Sequence, residues 1–149
     1  MINKEQAKIL VVDDIEENRF TLERRLKRDG YANVFLADCG KAALSSVEST
    51  EFDLVLLDLM MPDMSGLEVL KILKSDPRYR KIPVVMVTAS DEVETAAKCI
   101  LSGADDFITK PFNATLLKAR VGACLEKKRL QDSEDLYLSR VESDKQRSQ

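Results

Sequence analysis

The sequence predicts an α/β fold in which a parallel β-sheet is covered by helices on both faces. Short apolar segments alternate with helix-like segments five times along the chain. Such alternation is typical of parallel sheets, because parallel strands need long crossover connections. The first, third and fourth apolar segments are continuous, as expected for strands that are buried on both faces. The length of 149 residues fits one domain of ordinary size.

The first half of the chain contains three predicted strands and two predicted helices. The first strand is Lys8–Val12, which ends abruptly at two aspartates. A helix with Phe20, Leu22 and Leu26 as its apolar residues follows, and it ends at Asp29-Gly30, because glycine commonly terminates helices. The next elements are a strand at Val34–Ala37, a helix at Lys41–Glu48 and a strand at Leu54–Leu57.

The second half continues the same alternation. The predicted elements are a helix around Leu67–Leu73, a strand at Pro83–Val87 that ends at Thr88, a helix at Asp91–Ser102 closed by Gly103, and a strand at Phe107–Thr109. Asn113 then precedes a last helix, and asparagine is a favoured N-cap residue. The spacing therefore predicts five strand–helix units.

Composition excludes several classes of function. Hydrophobic residues make up 44% of the chain and charged residues 33%, so a core can form and a disordered chain is not expected. With 23 basic and 26 acidic residues, the net charge of -3 argues against a dedicated nucleic-acid binder. The sequence has no histidine, which excludes Ser-His-Asp catalysis, histidine-ligated metals and a phosphohistidine on this chain.

The sequence carries no signature of a membrane or secreted protein. No apolar run approaches the ~20 residues of a membrane span, and the N-terminal segment lacks a signal-peptide pattern. The three cysteines, Cys39, Cys99 and Cys124, are far apart and form no C-x-x-C motif. We therefore predict a cytoplasmic protein with reduced, mostly packed thiols.

Polar side chains stand at the carboxyl ends of four predicted strands. They are Asp13 and Asp14 after the first strand, Asp58 after the third, Thr88 after the fourth and Lys110 after the fifth. Ligands of open parallel sheets bind outside these ends, so the side chains would converge on one crevice if the strands are neighbours. Taken singly, each residue has a structural explanation, such as a turn or a helix cap. Their shared position favours a functional site.

The chemistry of this set points to phosphoryl transfer. Three carboxylates in one crevice repel each other, and a divalent cation together with Lys110 would relieve the repulsion. Mg²⁺ prefers such oxygen ligands. An ionised carboxylate beside Mg²⁺ can attack phosphorus, with the lysine and the Thr88 hydroxyl binding the phosphoryl oxygens. The set therefore predicts an aspartyl phosphate at Asp58.

Four segments resemble the receiver domain of two-component response regulators. They are Ile9–Asp14, Leu56–Gly66, Val85–Ala89 and Asp105–Phe112, in the order and at the spacing of that family. The resemblance covers roughly residues 7–125. It implies a flavodoxin-like sheet of five parallel strands in the order 2-1-3-4-5. It also implies a phosphoacceptor regulatory domain that assists its own phosphorylation and dephosphorylation, rather than an enzyme with an external substrate.

The resemblance implies a role for each acidic residue. Asp58 corresponds to the phosphoacceptor. Asp13, Asp14, Asp58 and the backbone carbonyl of Met60 correspond to the Mg²⁺ site, with Asp13 binding through water. All the residues of a phosphorylation-competent receiver are present in this sequence.

The resemblance also implies roles for residues later in the chain. Lys110 and Thr88 correspond to the pair that binds the phosphoryl group. Phe107 stands where the family has its switch aromatic, and it lacks the hydroxyl of the more common tyrosine. Met60 and Ser90 would flank the acyl phosphate. The Lys110-Pro111 bond is expected to be cis, as it is in many receivers.

Two other phosphate-handling classes do not fit the sequence. Aspartyl-phosphate phosphatases of the haloacid dehalogenase type need a second aspartate two residues after the nucleophile, and neither Asp58 nor Asp13 has one. The chain also contains neither G-x-x-x-x-G-K-[ST] nor G-x-G-x-x-G, the signatures of phosphate-binding loops.

Beyond the receiver-like part (1–125), residues 126–149 form a predicted helical extension. The extension contains no proline or glycine, so we expect one helix from about Ala114 to beyond Asp135. Its apolar residues lie near one helical face without a strict heptad: Leu130, Tyr137, Leu138 and Val141. The segment is either a solvated, fraying end or a signalling helix that leads to an output domain or pairs two copies of the chain.

The resemblance implies partners as well. A sensor histidine kinase or a phosphotransfer protein would supply the phosphoryl group. The surface of the fourth helix, fifth strand and fifth helix, with the C-terminal helix, would control an output domain or partner. Residues 136–148 are similar to linkers before class III nucleotide cyclases, but other output enzymes use comparable helices. The alternatives are a stand-alone regulator or the regulatory part of a cyclase or other enzyme; neither nucleic acid nor membrane is expected as a partner.

Overall fold

The computed structural model describes residues 3–89 and 93–147. Within these residues the chain forms five strands that alternate with five helices. The strands are β1 (Lys8–Val12), β2 (Asn33–Ala37), β3 (Leu54–Leu57), β4 (Val84–Thr88) and β5 (Asp106–Thr109). The helices are α1 (Glu16–Arg28), α2 (Gly40–Ser49), α3 (Gly66–Ser75), α4 (Val93–Leu101) and α5 (Ala114–Arg147). The predicted alternation is confirmed, and the predicted start of the fourth helix at Asp91 lies outside the described residues.

The strands form one parallel sheet in the order β2-β1-β3-β4-β5, as the resemblance implied. In the centre, β3 and β4 are buried along their whole length, and β1 is buried from Ile9 onward. The edge strands β2 and β5 are only partly buried. The three continuous apolar segments of the sequence are therefore the central strands, and both faces of these strands are covered.

Side chains that alternate along β1 separate the core into two halves. Ile9 and Val11 pack with α1 and α5, while Leu10 and Val12 pack with α2, α3 and the buried Cys99 of α4. Helices thus cover both faces of the sheet. This arrangement leaves the carboxyl edge of the strands for polar side chains.

Backbone hydrogen bonds end α1 and α4 in the same way. After α1, the Tyr31 N–H donates to Leu26 at 3.1 Å, with Gly30 at a φ of 106° between them. After α4, Gly103 has a φ of 109°. Both glycines adopt the left-handed conformation that closes helices, as the sequence predicted. The predicted N-cap Asn113 is confirmed, because its Oδ1 accepts the N–H groups of Thr115 and Leu116.

Helix α5 runs unbroken through 34 residues, which confirms the prediction of a helix beyond Asp135. Ion pairs attach its middle part to loops at the amino edge of the sheet. Lys128 Nζ lies 3.5 Å from Asp53 and Lys127 Nζ 3.3 Å from Asp105, and Asp135 pairs with Lys81. The helix is therefore fixed against the domain well past the last residues of the core.

The cysteines are unpaired thiols, as predicted: Cys99 and Cys124 are buried and Cys39 is half-buried. Phe20, an apolar residue of α1, is half exposed instead of packed in the core. Only Leu22 and Leu26 of α1 are buried, since the helix presents a narrow apolar stripe to the sheet.

Candidate functional site

The sheet register brings the predicted site residues to one edge. The Asp58 N–H donates to the carbonyl of Val12, the last residue of β1, at 2.9 Å, so it continues the β1–β3 hydrogen bonds one residue beyond β3. In the same way, the Lys110 N–H donates to the carbonyl of Thr88 at 2.7 Å. These bonds fix the backbone at the points where the polar side chains begin.

Three carboxylates converge at this edge. Oxygen atoms from Asp13, Asp14 and Asp58 lie within 4.8 Å of one another. Asp13 and Asp58 are buried, whereas Asp14 is exposed. Lys110 Nζ donates to Asp13 Oδ2 at 2.6 Å and lies 3.5 Å from Asp58 Oδ1. The structure thus joins four of the predicted site residues in one charged cluster.

The carboxyl group of Asp58 has an unusually high pKa. Burial raises its pKa from the ordinary 3.8 to about 6, the positive charge of Lys110 opposes this shift, and Asp13 adds to it. A hydrogen bond from the Met60 backbone N–H also stabilises the charged form and lowers the pKa. The cluster therefore carries more negative charge than Lys110 compensates, which favours a bound cation.

Asp13 is held by contacts that sequence reasoning did not find. Its Oδ1 accepts the Ile15 N–H at 2.9 Å and a long hydrogen bond of 3.5 Å from Asn18. Its backbone carbonyl accepts a hydrogen bond of 2.7 Å from the Arg19 guanidinium. A hydrogen bond from a backbone N–H to the side chain of an aspartate two residues earlier is a common local motif, so the Ile15 contact could be expected from the sequence. The contacts from Asn18 and Arg19 depend on the fold.

Thr88 and Phe107, for which the resemblance implied roles in the switch, lie on the neighbouring strands β4 and β5. Thr88 is the last residue of β4, between the ends of β3 and β5, and it is fully buried. Phe107 is partly buried against the core on the α2–α4 face of the sheet. The Lys110-Pro111 bond is cis, as predicted. Ser90, which the resemblance places beside the acyl phosphate, lies outside the described residues.

The segment between β3 and α3, residues 58–65, carries Met60 and closes tightly on itself. The Gly66 N–H donates to the carbonyl of Leu59 at 2.8 Å. Ser65 is the N-cap of α3, where its Oγ accepts the Glu68 N–H. We call this segment the β3–α3 loop. Met60 at its outer part is 70% exposed, and its backbone N–H hydrogen-bonds the Asp58 carboxylate, so the backbone of Met60 adjoins the cluster.

A basic cavity of about 710 Å³ adjoins the charged cluster through Lys110. Its walls come from α1 and from the segment that joins β5 to α5. The cationic residues of α1 in this wall are Arg24, Arg25 and Arg28. Sequence reasoning missed this cavity, because nothing in the α1 sequence shows that these arginines face the β5–α5 segment.

The donor set fits Mg²⁺. The three carboxylates offer only oxygen atoms, and the described residues contain this one group of acidic side chains with converging ligand atoms. Asp13, Asp14 and Asp58 are the side chains that can hold the ion. Zinc is a poorer fit, since the cluster includes neither cysteine nor histidine.

Fold and site together define a doubly wound α/β domain with a carboxylate–lysine site at the carboxyl edge of its sheet. A sequence model of the response regulator receiver domain matches residues 9–122. The chain belongs to this family, and its general role is that of a receiver domain in two-component signalling.

Relatives and solved structures agree with this assignment. Response regulator PleD of Caulobacter vibrioides is 46% identical over 115 residues, which are 77% of this chain and 25% of PleD. Chemotaxis protein CheY of Pseudomonas aeruginosa is 33% identical over 120 residues, 80% of this chain and 97% of CheY. The receiver domain of Francisella response regulator 1452 superimposes with a TM-score of 0.76 at 30% identity, covering 82% of this chain and 98% of that one. The chain thus corresponds to about a quarter of the length of PleD.

Among the described residues, no helix combines the length and the apolar character that crossing a bilayer would require.

Proposed function

We propose that Asp58 accepts a phosphoryl group and that this modification switches the surface of the domain. The observation that carries the proposal is the cluster in which Lys110 lies between the carboxylates of Asp13 and Asp58, at 2.6 and 3.5 Å. Membership of the receiver family supports the same role. Mg²⁺ is the proposed cofactor, held by Asp13, Asp14, Asp58 and the carbonyl of Met60.

The proposed reaction is an in-line displacement at phosphorus. A carboxylate oxygen of Asp58 forms the new O–P bond, the P–N bond of a phosphohistidine breaks, and its electron pair stays on the imidazole nitrogen. Lys110 Nζ and the Thr88 hydroxyl donate hydrogen bonds to the transferred phosphoryl oxygens. When bound, Mg²⁺ supplies further positive charge at these oxygens. The phosphohistidine belongs to a sensor histidine kinase or phosphotransfer protein, since this chain has no histidine.

The chemical prediction is a single phosphoryl adduct on Asp58. Incubation with acetyl phosphate and Mg²⁺ should add one phosphoryl mass to the wild-type protein and none to Asp58→Asn, because the amide is no nucleophile. Intact-mass spectrometry measures this directly. EDTA should abolish the adduct if the metal is required. Equal labelling of wild type and Asp58→Asn would refute the assignment.

The proposed switch involves Thr88, Phe107 and the outer surface of α4, β5 and α5. Apolar side chains on that surface support a partner site, since Val93 and Leu101 of α4 are 82% and 87% exposed. Phosphorylation is expected to draw the Thr88 hydroxyl toward the new oxygens and to let Phe107 turn inward. Phe107 has no hydroxyl, so burial of its ring alone would drive the change.

Crystal structures with and without beryllofluoride test this switch. We expect the Phe107 ring to be more buried in the beryllofluoride form and Thr88 to move toward Asp58. An outward Phe107 in both structures, with Thr88 unmoved, would contradict the mechanism. Phe107→Ala serves as the control variant, because it removes the ring and leaves the phosphoacceptor cluster in place.

The basic cavity supports docking of the phosphodonor protein next to Asp58. Arg24 and Arg28 are exposed on its wall, and they offer positive charge to an acidic partner surface. Charged residues at the edge of an interface mainly raise the association rate with an oppositely charged partner, and they disfavour partners of the same charge. The cavity would therefore contribute to partner choice, whereas the cluster around Asp58 performs the chemistry.

The division into a receiver domain (1–125) and a helical extension (126–149) remains a prediction, as do the cytoplasmic location and the exclusion of nucleic acid and membrane as partners.

The exposure of the extension favours a role in pairing or output. Leu136, Tyr137 and Leu138 are all more than half exposed on α5. Exposed apolar side chains along a long helix are suited to a second helix, and a homodimer is the arrangement that we propose. A stand-alone regulator is the alternative, since CheY matches along 97% of its length.

Sedimentation of two versions of the chain distinguishes these alternatives. We expect the full chain to dimerise at high micromolar concentration and a version ending at Leu125 to stay monomeric, each measured with and without beryllofluoride. Leu125 belongs to the core, so the shorter version keeps the packed domain. If both versions stay monomeric in every state, the extension is no dimerisation element and the stand-alone regulator is favoured.

A further inference from the structure

Asp63 connects the β3–α3 loop to α2 across a gap of 23 positions in the sequence. Its Oδ1 accepts the Gly40 N–H at 3.0 Å, and its Oδ2 accepts the Lys41 N–H at 3.0 Å. Both carboxylate oxygens are therefore used at the first turn of the helix. Negative charge at this end of a helix is also stabilised by the helix dipole.

The N-terminus of α2 is completed by Cys39, which has no contact of this kind with the loop. Its Sγ accepts the Ala42 N–H at 3.4 Å, and its carbonyl accepts the Ala43 N–H at 3.0 Å. The Ala43 bond is the first ordinary hydrogen bond of the helix, so the N–H groups at its start that need outside acceptors include those of Gly40, Lys41 and Ala42. Asp63 accepts the first two of these, and the Cys39 thiol accepts the third.

A packing contact reinforces the connection. Met64, the next residue of the loop, lies where a side chain at position 40 would be: a Cβ added to Gly40 would be 2.6 Å from Met64 Sδ and 3.1 Å from a methyl group of Val69. With glycine at position 40, the Met64 side chain packs directly over the start of α2. The loop is attached to α2 by this contact and by the two hydrogen bonds of Asp63.

The attachment matters because it fixes the outer part of the loop that carries Met60. At the base, the loop is closed by the bond from Gly66 to Leu59 at 2.8 Å. Farther out, the Met60 side chain is 70% exposed, and Pro62 is exposed as well. Asp63 follows directly after Pro62, whose ring fixes its own φ and so removes one of the backbone torsions between the anchor and Met60. The position of the Met60 backbone is thus set by the anchor at Asp63 together with the hydrogen bond from the Met60 N–H to Asp58.

We propose that Asp63 is a positioning residue for the metal site: it holds the β3–α3 loop on α2 so that the Met60 carbonyl faces the carboxylates of Asp13 and Asp58. The inference rests on the proposed function, because Met60 is assigned to the Mg²⁺ site only there. Asp63 itself contributes no ligand, since both of its oxygens accept hydrogen bonds from α2. Groups that orient metal ligands typically change metal affinity by 10–100-fold when they are removed.

Mg²⁺ binding to the full chain, measured by isothermal titration calorimetry, tests the proposal. We expect Asp63→Ala to weaken Mg²⁺ binding about tenfold, and Asp63→Asn, which keeps one acceptor oxygen, to weaken it less. Cys39→Ala is the matched control, because it removes a cap from the same helix without touching the loop. We expect its Mg²⁺ affinity to equal that of the wild type within a factor of two.

Hydrogen exchange of the Met60 and Met61 amides in EDTA gives a second readout. We expect faster exchange in Asp63→Ala than in wild type, and no change in Cys39→Ala. If Asp63→Ala does not fold, Mg²⁺ affinity and amide exchange are both measured on Asp63→Asn instead. Unchanged affinity and exchange in a folded Asp63 variant would overturn the proposal and leave the phosphoacceptor function intact. A wild-type protein that binds no Mg²⁺ would overturn both.

Discussion

Gly66→Ala is expected to destabilise the domain by about 3 kcal/mol. A methyl group at this position would lie 2.9 Å from the carbonyl carbon of Asp58 and 2.9 Å from the Cα of Leu59, and closer still to the Asp58 carbonyl oxygen. All three atoms belong to the backbone, so no side chain can rotate away. Either α3 or the end of β3 must move, and either movement disturbs the buried core around Leu57 and Leu70.

Gly122→Ala is the matched control for this substitution. Gly122 lies inside α5, and an added methyl group would meet nothing within 4 Å. Glycine inside a helix costs roughly 1 kcal/mol relative to alanine, so this variant should be more stable than wild type. Urea unfolding followed by circular dichroism measures both changes. A Gly66→Ala variant within about 1 kcal/mol of wild type would contradict the steric argument; failure to recover folded protein agrees with it.

Most of the fold could be predicted because its signals are local. Continuous apolar segments marked β1, β3 and β4, and glycines marked the ends of α1 and α4. The convergence of Asp13, Asp58 and Lys110 followed from a geometric rule about the carboxyl ends of parallel strands, provided that the strands that carry them are neighbours. The strand order that meets this condition came from the resemblance to receivers, since no local pattern states which strands are neighbours.

Contacts between distant segments could not be predicted in the same way. The pairing of Asp63 with the first turn of α2 joins residues 23 positions apart, and a carboxylate in a turn has many other uses. The bond between Lys81 and Asp135 spans 54 positions and depends on where α5 crosses the loop before β4. The basic cavity likewise requires α1 and the β5–α5 segment to face each other. Only three-dimensional packing decides these contacts.

The metal-free protein is expected to lose stability as the pH rises from about 4 to 6, because of Asp58. Its pKa is about 6 in the folded state, against an ordinary value of 3.8. Between these values the folded protein binds more protons at this group than the unfolded chain does, so the free energy of unfolding falls as pH increases. The full shift corresponds to about 3 kcal/mol, because one pKa unit is worth about 1.4 kcal/mol.

Asp58→Asn removes this titration, and its effect should therefore depend on pH. In EDTA at pH 7.5 the variant should be more stable than wild type by up to about 3 kcal/mol, while at pH 4 the two should differ little, because Asp58 is then protonated. Urea unfolding at both pH values gives the comparison. Asp38→Asn is the control, since this exposed carboxylate lies outside the cluster and its replacement should change stability by less than about 0.5 kcal/mol at either pH.

The size of the pH-dependent difference also reports how the cluster balances its charge. Lys110 lies 2.6 Å from Asp13 but 3.5 Å from Asp58, so its charge is committed mainly to Asp13. If Lys110 instead compensated Asp58 fully, Asp58→Asn would be equally or less stable than wild type at pH 7.5, and that result would contradict the raised pKa. A difference of about 3 kcal/mol in EDTA that shrinks when Mg²⁺ is added would mean that the charge on Asp58 is uncompensated until a cation binds.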